Sequence, residues 1–171
     1  MEGEKHPITA STYVAFRVHS LETHGINPML RTLCSHGIER NFSIVELKTT
    51  QLTKGQVEWL YDEHDGKDFF PKLVDSMSSG PVCLVRVEFT VDSEEGIDEF
   101  IKDFRENVVG ATDPRNAKPG TLRYLYGDKE AYAKGFPFNA CHSPSNRKAI
   151  HREMPMLFGG NSQISTTLCW T

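Results

Sequence analysis

His142 and Glu153 are two residues whose types and spacing could carry a reaction. Glu153 follows His142 by eleven residues, in a segment whose periodicity predicts a helix, and this spacing permits contact between the two side chains. A carboxylate that holds one imidazole nitrogen leaves the other unprotonated, as a nucleophile that can accept a phosphoryl group. For a single histidine in a sequence, a structural role is the more common alternative.

A polar segment at residues 110–123 could bind anions. It reads Gly-Ala-Thr-Asp-Pro-Arg-Asn-Ala-Lys-Pro-Gly-Thr-Leu-Arg and supplies hydroxyl groups, three cations and a rigid turn. Long ordered loops of this kind are often functional. The segment is neither a P-loop nor a Rossmann glycine motif. Its composition alone favours a solvated loop over a phosphate site.

The spacing of the other cysteine and histidine residues disfavours two further kinds of chemistry. Cys141 adjoins His142, but neighbours in an extended segment point to opposite faces, so we do not expect a nucleophile and base pair there. His19, His24 and His36 do not share a helix face at ligand spacing, and no H-E-x-x-H motif occurs. We therefore predict no protein-bound metal.

Chain length, charge and cysteine spacing limit the class of protein. A chain of 171 residues with 38% hydrophobic residues fills one ordinary core, and a net charge of -4 disfavours nucleic acid and anionic membranes as partners. No apolar run reaches about 18 residues, and the first seven residues lack the apolar part of a signal peptide. The four cysteines are far apart, which suits thiols in a reducing compartment. We expect a soluble, cytoplasmic protein.

Hydrophobic periodicity and capping residues predict the elements that position these side chains. The clearest alternation covers residues 83–91, which we interpret as a strand with one buried face. The other predicted strands are 12–18, 42–47 and a short one before the last helix. Three predicted helices cover residues 27–37, 68–77 and 146–158. Two others are a helix that begins with a capping box at Thr53 and one that runs from Ser93 to Gly110. Residues 127–138 are expected to be irregular.

This order of elements predicts one sheet with helices packed against it. Such an α/β arrangement, an α+β sandwich, is close to a split βαβ plan. We expect one domain over residues 12–158. Residues 1–11 would form a flexible N-terminal segment, and residues 159–171 a C-terminal tail.

Three motifs occur together in a specific order. They are Gly110-Ala-Thr-Asp-Pro, Lys118-Pro-Gly-Thr-Leu-Arg123 and Asn139-x-x-His142. Together they resemble the nucleoside diphosphate kinase family. The resemblance extends over residues 12–158 and includes Phe69-Phe70 and Ser79-Gly80-Pro81-Val82.

The resemblance implies a fold, an activity and an assembly. The fold is a ferredoxin-like domain, in which helices cover a four-stranded antiparallel sheet. The activity is ping-pong transfer of the γ-phosphate from a nucleoside triphosphate, such as ATP, to a nucleoside diphosphate through a phosphohistidine. Mg2+ would be carried by the nucleotide, and the chain would form a homo-oligomer, either a hexamer or a smaller assembly built on dimers.

The resemblance also implies residue roles, position by position. His142 would accept the phosphate, and Glu153 would orient the His142 ring. Asn139 would bind the sugar hydroxyl, while Phe69 would stack on the base without reading its identity. The positions that match contacts to the active histidine or the phosphates are Arg17, Tyr61, Thr112 and Arg123.

Two departures from the family pattern concern phosphate binding. Arg17 stands where the family normally has lysine, and a guanidinium is bulkier than an ammonium but can donate two hydrogen bonds to phosphate. Glu106 aligns with a phosphate-binding arginine, so a repelling charge would replace an attracting one unless Arg105 turns in. A shift of helix register would allow that turn.

Two further departures surround the histidine. Pro144 stands where the family has a serine that bonds to the orienting glutamate, with Ser143 as a candidate substitute. Extra residues, roughly 130–137, would enlarge a loop near the nucleotide entrance. Pro144 and the run Arg152-Glu153-Met154 resemble a divergent subgroup associated with flagella and cilia.

These departures leave a second hypothesis open. The chain could be a catalytically impaired module that binds nucleotide or a protein partner in a cytoskeletal or flagellar assembly. An unrelated ferredoxin-like ligand-binding module is a third alternative, and it would require the motif matches to arise by chance.

Overall fold

Four strands form one antiparallel sheet in the structure, a computed structural model that describes residues 6–159. The strands are β1 (Ile8–Phe16), β2 (Phe42–Thr50), β3 (Val82–Val91) and β4 (Cys141–His142). Their order across the sheet is β2-β3-β1-β4, and each neighbouring pair is antiparallel. The predicted fold class, a four-stranded antiparallel sheet of the ferredoxin-like kind, is therefore confirmed.

Helices connect and cover the strands. They are α1 (Val18–His24), α2 (Ile26–Arg40), α3 (Lys54–Leu60), α4 (Phe70–Ser78), α5 (Glu94–Asp103), α6 (Leu122–Tyr126), α7 (Lys129–Ala133) and α8 (Arg147–Phe158). A 3-10 turn covers Asp62–His64, and a π-helix covers Phe104–Val109. Among the described residues, no helix has both the length and the apolar character needed to cross a membrane.

Helices pack on both faces of the sheet. Val14 and Phe16 of β1 belong to one buried cluster with side chains of α2, α5 and the π-helix. Tyr13 and Ala15, which alternate with them, belong to a second buried cluster with side chains of α3, α4 and α8. The predicted buried face of β3, from Cys83 to Phe89, is confirmed. This central strand contributes to both clusters, because its opposite face is also buried at Val82 and Leu84. It lies between β1 and β2 and has helices on either side.

The first strand is shifted relative to its predicted bounds. It begins at Ile8, inside the segment that was expected to be flexible, and pairs with Val91 at that end. It ends at Phe16, because Val18 already belongs to α1, a helix that the alternation of residues 12–18 does not predict. Residues 1–5 and 160–171, which include most of the predicted tail, lie outside the described residues.

Gly37 does not end the helix, contrary to the sequence prediction. Helix α2 continues to Arg40, and Asn41 takes the left-handed conformation that ends it, with a φ of 57°. Gly37 is buried instead, and a Cβ atom at this position would lie 2.6 Å from the carbonyl oxygen of Phe42. The glycine therefore permits a close approach between α2 and the start of β2.

Two predicted N-caps, at Thr53 and Ser93, are confirmed, whereas α2 begins one residue before its predicted start, with Gly25 as its N-cap. Thr53 and Gln56 form both bonds of a capping box at the start of α3. The Ser93 hydroxyl accepts a hydrogen bond from the Gly96 amide at 3.1 Å at the start of α5. The Asn146 side chain caps α8 in the same way. The stretch predicted to be irregular at residues 127–138 contains the short helix α7.

Candidate active site

A cleft of about 680 Å3 opens at the end of β1 beside β4 and α8. All eight residues that the sequence singled out contribute to its wall. They are Arg17, Tyr61, Phe69, Thr112, Arg123, Asn139, His142 and Glu153. Residues far apart in sequence are thus brought together around one space that can hold a ligand.

The backbone before His142 is held by β1 and α1. Ala140 has a φ of 75°, a conformation that residues other than glycine rarely adopt. Its carbonyl oxygen accepts hydrogen bonds from the Arg17 amide at 2.9 Å and from the Ser20 hydroxyl at 2.7 Å. His142 then pairs with Ala15 across the sheet. The histidine is therefore presented to the cleft from a fixed strand.

The His142 side chain meets the carboxylate of Glu153. Nε2 lies 3.3 Å from Oε2, and the side chains are 13% and 6% exposed. Burial lowers the pKa of His142 from its usual 6.5, although hydrogen bonding to Glu153 opposes the shift. A neutral imidazole whose Nε2 donates to the carboxylate leaves Nδ1 with a free lone pair. Among the described residues, no hydrogen bond engages Nδ1.

Glu153 has a second hydrogen-bond donor, which no sequence motif indicates. The Tyr13 hydroxyl donates to Oε2 of Glu153 at 2.7 Å. Tyr13 comes from β1 and Glu153 from α8, so no local spacing links them. Ser143, the candidate substitute for the family's serine, does not take this role, because its buried hydroxyl has no hydrogen-bond partner among the described residues.

Two buried arginines lie beside the histidine. Arg17 donates to the Tyr61 hydroxyl at 3.0 Å and to the carbonyl oxygen of Pro137. Arg123 donates to the carbonyl oxygens of Cys141 and Gly110. Neither guanidinium forms an ion pair with a described carboxylate. Their charges therefore remain available to an anion that enters the cleft.

A third arginine reaches the cleft through the π-helix. Arg105 lines the cleft, whereas Glu106 is exposed outside it. The Gly110 amide donates to the Arg105 carbonyl, five residues earlier, at 2.9 Å. A π-helical turn holds one more residue than an α-helical turn, and this insertion supplies the register shift that the sequence left open. Burial lowers the pKa of Arg105, and the Glu153 and Glu63 carboxylates oppose that shift.

Aromatic side chains also line the cleft. Phe69 is 36% exposed at the rim, and its ring makes an edge contact with His64. Phe136, from the stretch of extra residues, also lines the cleft and is 41% exposed. Flat apolar side chains at a cleft entrance suit a nucleobase or another ring. No sequence motif indicates His64 or Phe136 as residues of the site.

Asn139 and Thr112 are hydrogen-bonded to each other in the wall of the cleft. The Asn139 side-chain nitrogen donates to the Thr112 carbonyl at 2.9 Å. Its oxygen is buried without a hydrogen-bond partner among the described residues, so it could accept a bond from a ligand hydroxyl. Within residues 6–159, no three histidine, cysteine, aspartate or glutamate side chains are grouped as metal ligands.

The family model and the similar sequences found by comparison with known proteins all belong to one family. A model of the nucleoside diphosphate kinase family matches residues 11–162. The nucleoside diphosphate kinase of Saccharolobus islandicus (strain M.16.4 / Kamchatka #3) is 36% identical over 120 residues, which cover 70% of this chain and 76% of that protein. The same enzyme of Sulfurisphaera tokodaii is 34% identical over 121 residues and covers 70% and 71%.

Solved structures resemble the fold over almost the whole chain. The Aquifex aeolicus nucleoside diphosphate kinase superposes with a TM-score of 0.65 at 25% identity and covers 90% of this chain and 97% of that one. A Halobacterium salinarum nucleoside diphosphate kinase in complex with CDP gives a TM-score of 0.68 at 21% identity and covers 96% and 94%.

Proposed function

This chain belongs to the nucleoside diphosphate kinase family, and we propose that it carries the transferred phosphate on Nδ1 of His142. The observation that supports this site most strongly is the contact of 3.3 Å between Nε2 of His142 and Oε2 of Glu153. That contact engages one ring nitrogen and leaves the other available in a cleft that Arg17, Arg105 and Arg123 line. The overall reaction moves a γ-phosphate from a nucleoside triphosphate to a nucleoside diphosphate.

The reaction would proceed in two displacements. In the first, the Nδ1 lone pair attacks the γ-phosphorus, and the bond from phosphorus to the bridging oxygen breaks, so the nucleoside diphosphate leaves with that electron pair. In the second, a terminal oxygen of another diphosphate attacks the phosphorus, and the electron pair of the N–P bond returns to Nδ1. Nε2 keeps its proton throughout, and Glu153 stabilises the positive charge on the ring.

Arg17, Arg123 and Arg105 would bind the phosphates. Transferred phosphoryl groups spread negative charge over their oxygens, and fixed cations in a partly dry site stabilise that charge. Tyr61 would hold Arg17 in position, since its hydroxyl accepts the guanidinium bond at 3.0 Å. Thr112 would add a hydroxyl near the same phosphates.

The nucleoside would bind beside the aromatic side chains that line the cleft. Phe69 would stack on the base, and the unpartnered oxygen of Asn139 would accept a bond from a sugar hydroxyl. ATP would serve as a phosphate donor. The substrate would enter as its Mg2+ complex, because Mg2+ binds phosphate oxygens and waters readily and needs few protein ligands.

Steady-state kinetics test this proposal. Rates measured with ATP at several fixed concentrations of a second nucleoside diphosphate should give parallel double-reciprocal lines, as two half-reactions require. ATP and ADP should also exchange label when no other acceptor is present. Nucleotide binding without this exchange would contradict the proposal and support the impaired-module alternative.

The observations at Arg105 and Tyr13 weigh against that alternative. It rested on Glu106 and Pro144, which suggested a lost phosphate contact and a lost partner for Glu153. A guanidinium from the neighbouring position lines the cleft, and a phenol hydroxyl donates to the carboxylate at 2.7 Å. The phosphate contact and the hydrogen bond to Glu153 therefore each have a candidate group.

We also propose a homo-oligomer built on dimers. Strand β2 lies at the edge of the sheet, and Ile38 on the adjacent helix α2 is 78% exposed. An open strand edge beside an exposed aliphatic side chain is a surface that a second copy could cover. Light scattering should give a mass of at least twice 19.3 kDa, and a monomer at micromolar concentration would contradict this proposal.

A cytoplasmic location, with the flagellum or cytoskeleton as the alternative, remains a prediction from the sequence. Imaging of a fluorescent fusion in the source cell would test it. Uniform signal through the cytoplasm is expected, and enrichment along a flagellum would favour the divergent subgroup.

A further inference from the structure

Tyr13 and His142 bond to the same oxygen of Glu153. The Tyr13 hydroxyl lies 2.7 Å from Oε2, and Nε2 of His142 lies 3.3 Å from that atom. Among the described residues, no other side chain donates a hydrogen bond to Glu153. The direction of this carboxylate is therefore set by one phenol and one imidazole.

The phenol of Tyr13 is rigidly held. Tyr13 is 0% exposed and pairs with Arg86 in the centre of the sheet. Its ring also makes an edge contact with Phe158, at the end of the helix that carries Glu153. A hydroxyl fixed by a strand and by this helix limits the rotation of the carboxylate.

The phenol keeps its proton in this environment. Burial is the largest cause that raises the pKa of Tyr13 well above 10.0, and the Glu153 carboxylate raises it further. The hydroxyl therefore donates to Glu153 at any pH at which the protein works. Oε2 can then accept from Nε2 of His142 only if the ring carries its proton on that nitrogen.

We propose that Tyr13 is a positioning residue, which holds Oε2 of Glu153 where it selects the His142 tautomer with an unprotonated Nδ1. This inference rests on the proposed role of His142 as the phosphate acceptor. Tyr13 does not line the cleft, so it acts through Glu153 and not on the nucleotide.

Tyr13→Phe tests the inference because it removes the hydroxyl and keeps the ring in the core. Loss of one hydrogen bond to a charged group should lower kcat about tenfold. KM for the nucleotide should change less than about twofold, since no group in the cleft is altered. Tyr126→Phe is the matched control: it removes a hydroxyl bonded to the Pro28 carbonyl at 2.9 Å and should leave kcat unchanged.

The tautomer gives a readout that a general loss of packing would not move. In protein labelled with 15N-histidine, the ring signals of His142 can be assigned by their loss in His142→Ala. At pH 8 the wild type should show a protonated Nε2 and an unprotonated Nδ1. Tyr13→Phe should show shifts averaged over both tautomers, and Tyr126→Phe should match the wild type.

The outcomes separate this inference from the proposed function. An unchanged tautomer or an unchanged kcat in Tyr13→Phe would overturn the role of Tyr13 alone. A wild-type protein that takes no phosphate from ATP would overturn the proposed function. The nitrogen shifts would still decide in that case whether the phenol sets the tautomer.

Discussion

Replacing Arg105 with alanine should slow phosphate transfer far more than the same change at Glu106. The two residues are neighbours on the π-helix, yet Arg105 lines the cleft and Glu106 is exposed outside it. If the segment were an α-helix without this shift, Glu106 would point to the phosphates in place of Arg105. The larger effect would then be expected for the change at Glu106. The pair therefore tests the π-helix as well as the arginine.

The size of the effect follows from the kind of contact. A hydrogen bond to a charged group contributes about 1.5–3 kcal/mol, which corresponds to a loss of about 10- to 150-fold in kcat/KM. Arg105 is partly buried, so its contact with phosphate would be only partly screened by water. Glu106→Ala removes an exposed charge and should change kcat/KM less than about twofold.

A one-residue deletion tests the register directly. Deletion of Glu106 places Arg105 four residues before Gly110, so the Gly110 amide can bond to the same carbonyl through an α-helical turn. This variant should keep most of its activity and lose the π-helix. The assay is phosphate transfer from ATP to a nucleoside diphosphate, with nucleotide binding measured in parallel. Full activity in Arg105→Ala, or a loss in Glu106→Ala as large as that in Arg105→Ala, would refute the reasoning.

Three further predictions concern pH, the base and stability. Because burial lowers the pKa of His142 from 6.5, kcat/KM should stay constant as pH falls to that value and decline below it. Glu153→Gln should move the decline to still lower pH and reduce kcat, since the carboxylate raises the histidine pKa. Phe69→Ala should raise KM about 5- to 150-fold for purine and pyrimidine nucleotides alike, as the loss of one stacking contact of about 1–3 kcal/mol requires. In urea unfolding, Gly37→Ala should destabilise the protein by about 1–3 kcal/mol, because its Cβ would lie 2.6 Å from a backbone carbonyl; Gly55→Ala, which meets nothing within 4 Å in a helix, should be neutral or stabilising.

Local signals predicted the parts of the fold that depend on neighbouring residues. The Thr53 capping box, the Ser93 cap and the alternation of β3 all act within a few residues, and each recurs in the structure. Burial of the second face of β3 at Val82 and Leu84 could not be derived this way, because it depends on helices from distant parts of the chain. The prediction that Gly37 ends a helix is wrong for a related reason: its lack of a side chain permits a contact with Phe42.

The candidate site was predictable where the motifs contain it. His142, Asn139 and Arg123 stand in short motifs, and all of them line the cleft. The role of Tyr13 could not be predicted, because its bond to Glu153 joins residues 140 positions apart. The periodicity of β1 alone assigns Tyr13 to the core. The orientation of Arg105 could not be predicted, because sequence spacing does not reveal a π-helix. The extra residue of a π-helix rotates every side chain that precedes it.

The most direct test of the central claim is the location of the phosphate. The protein should be incubated with γ-labelled ATP and Mg2+, separated from nucleotide, and analysed for label that is stable in base and lost in acid. We expect one labelled residue, with the phosphate on Nδ1 of His142, and no label in His142→Ala. An unlabelled wild-type protein, or label that persists in His142→Ala, would contradict the account.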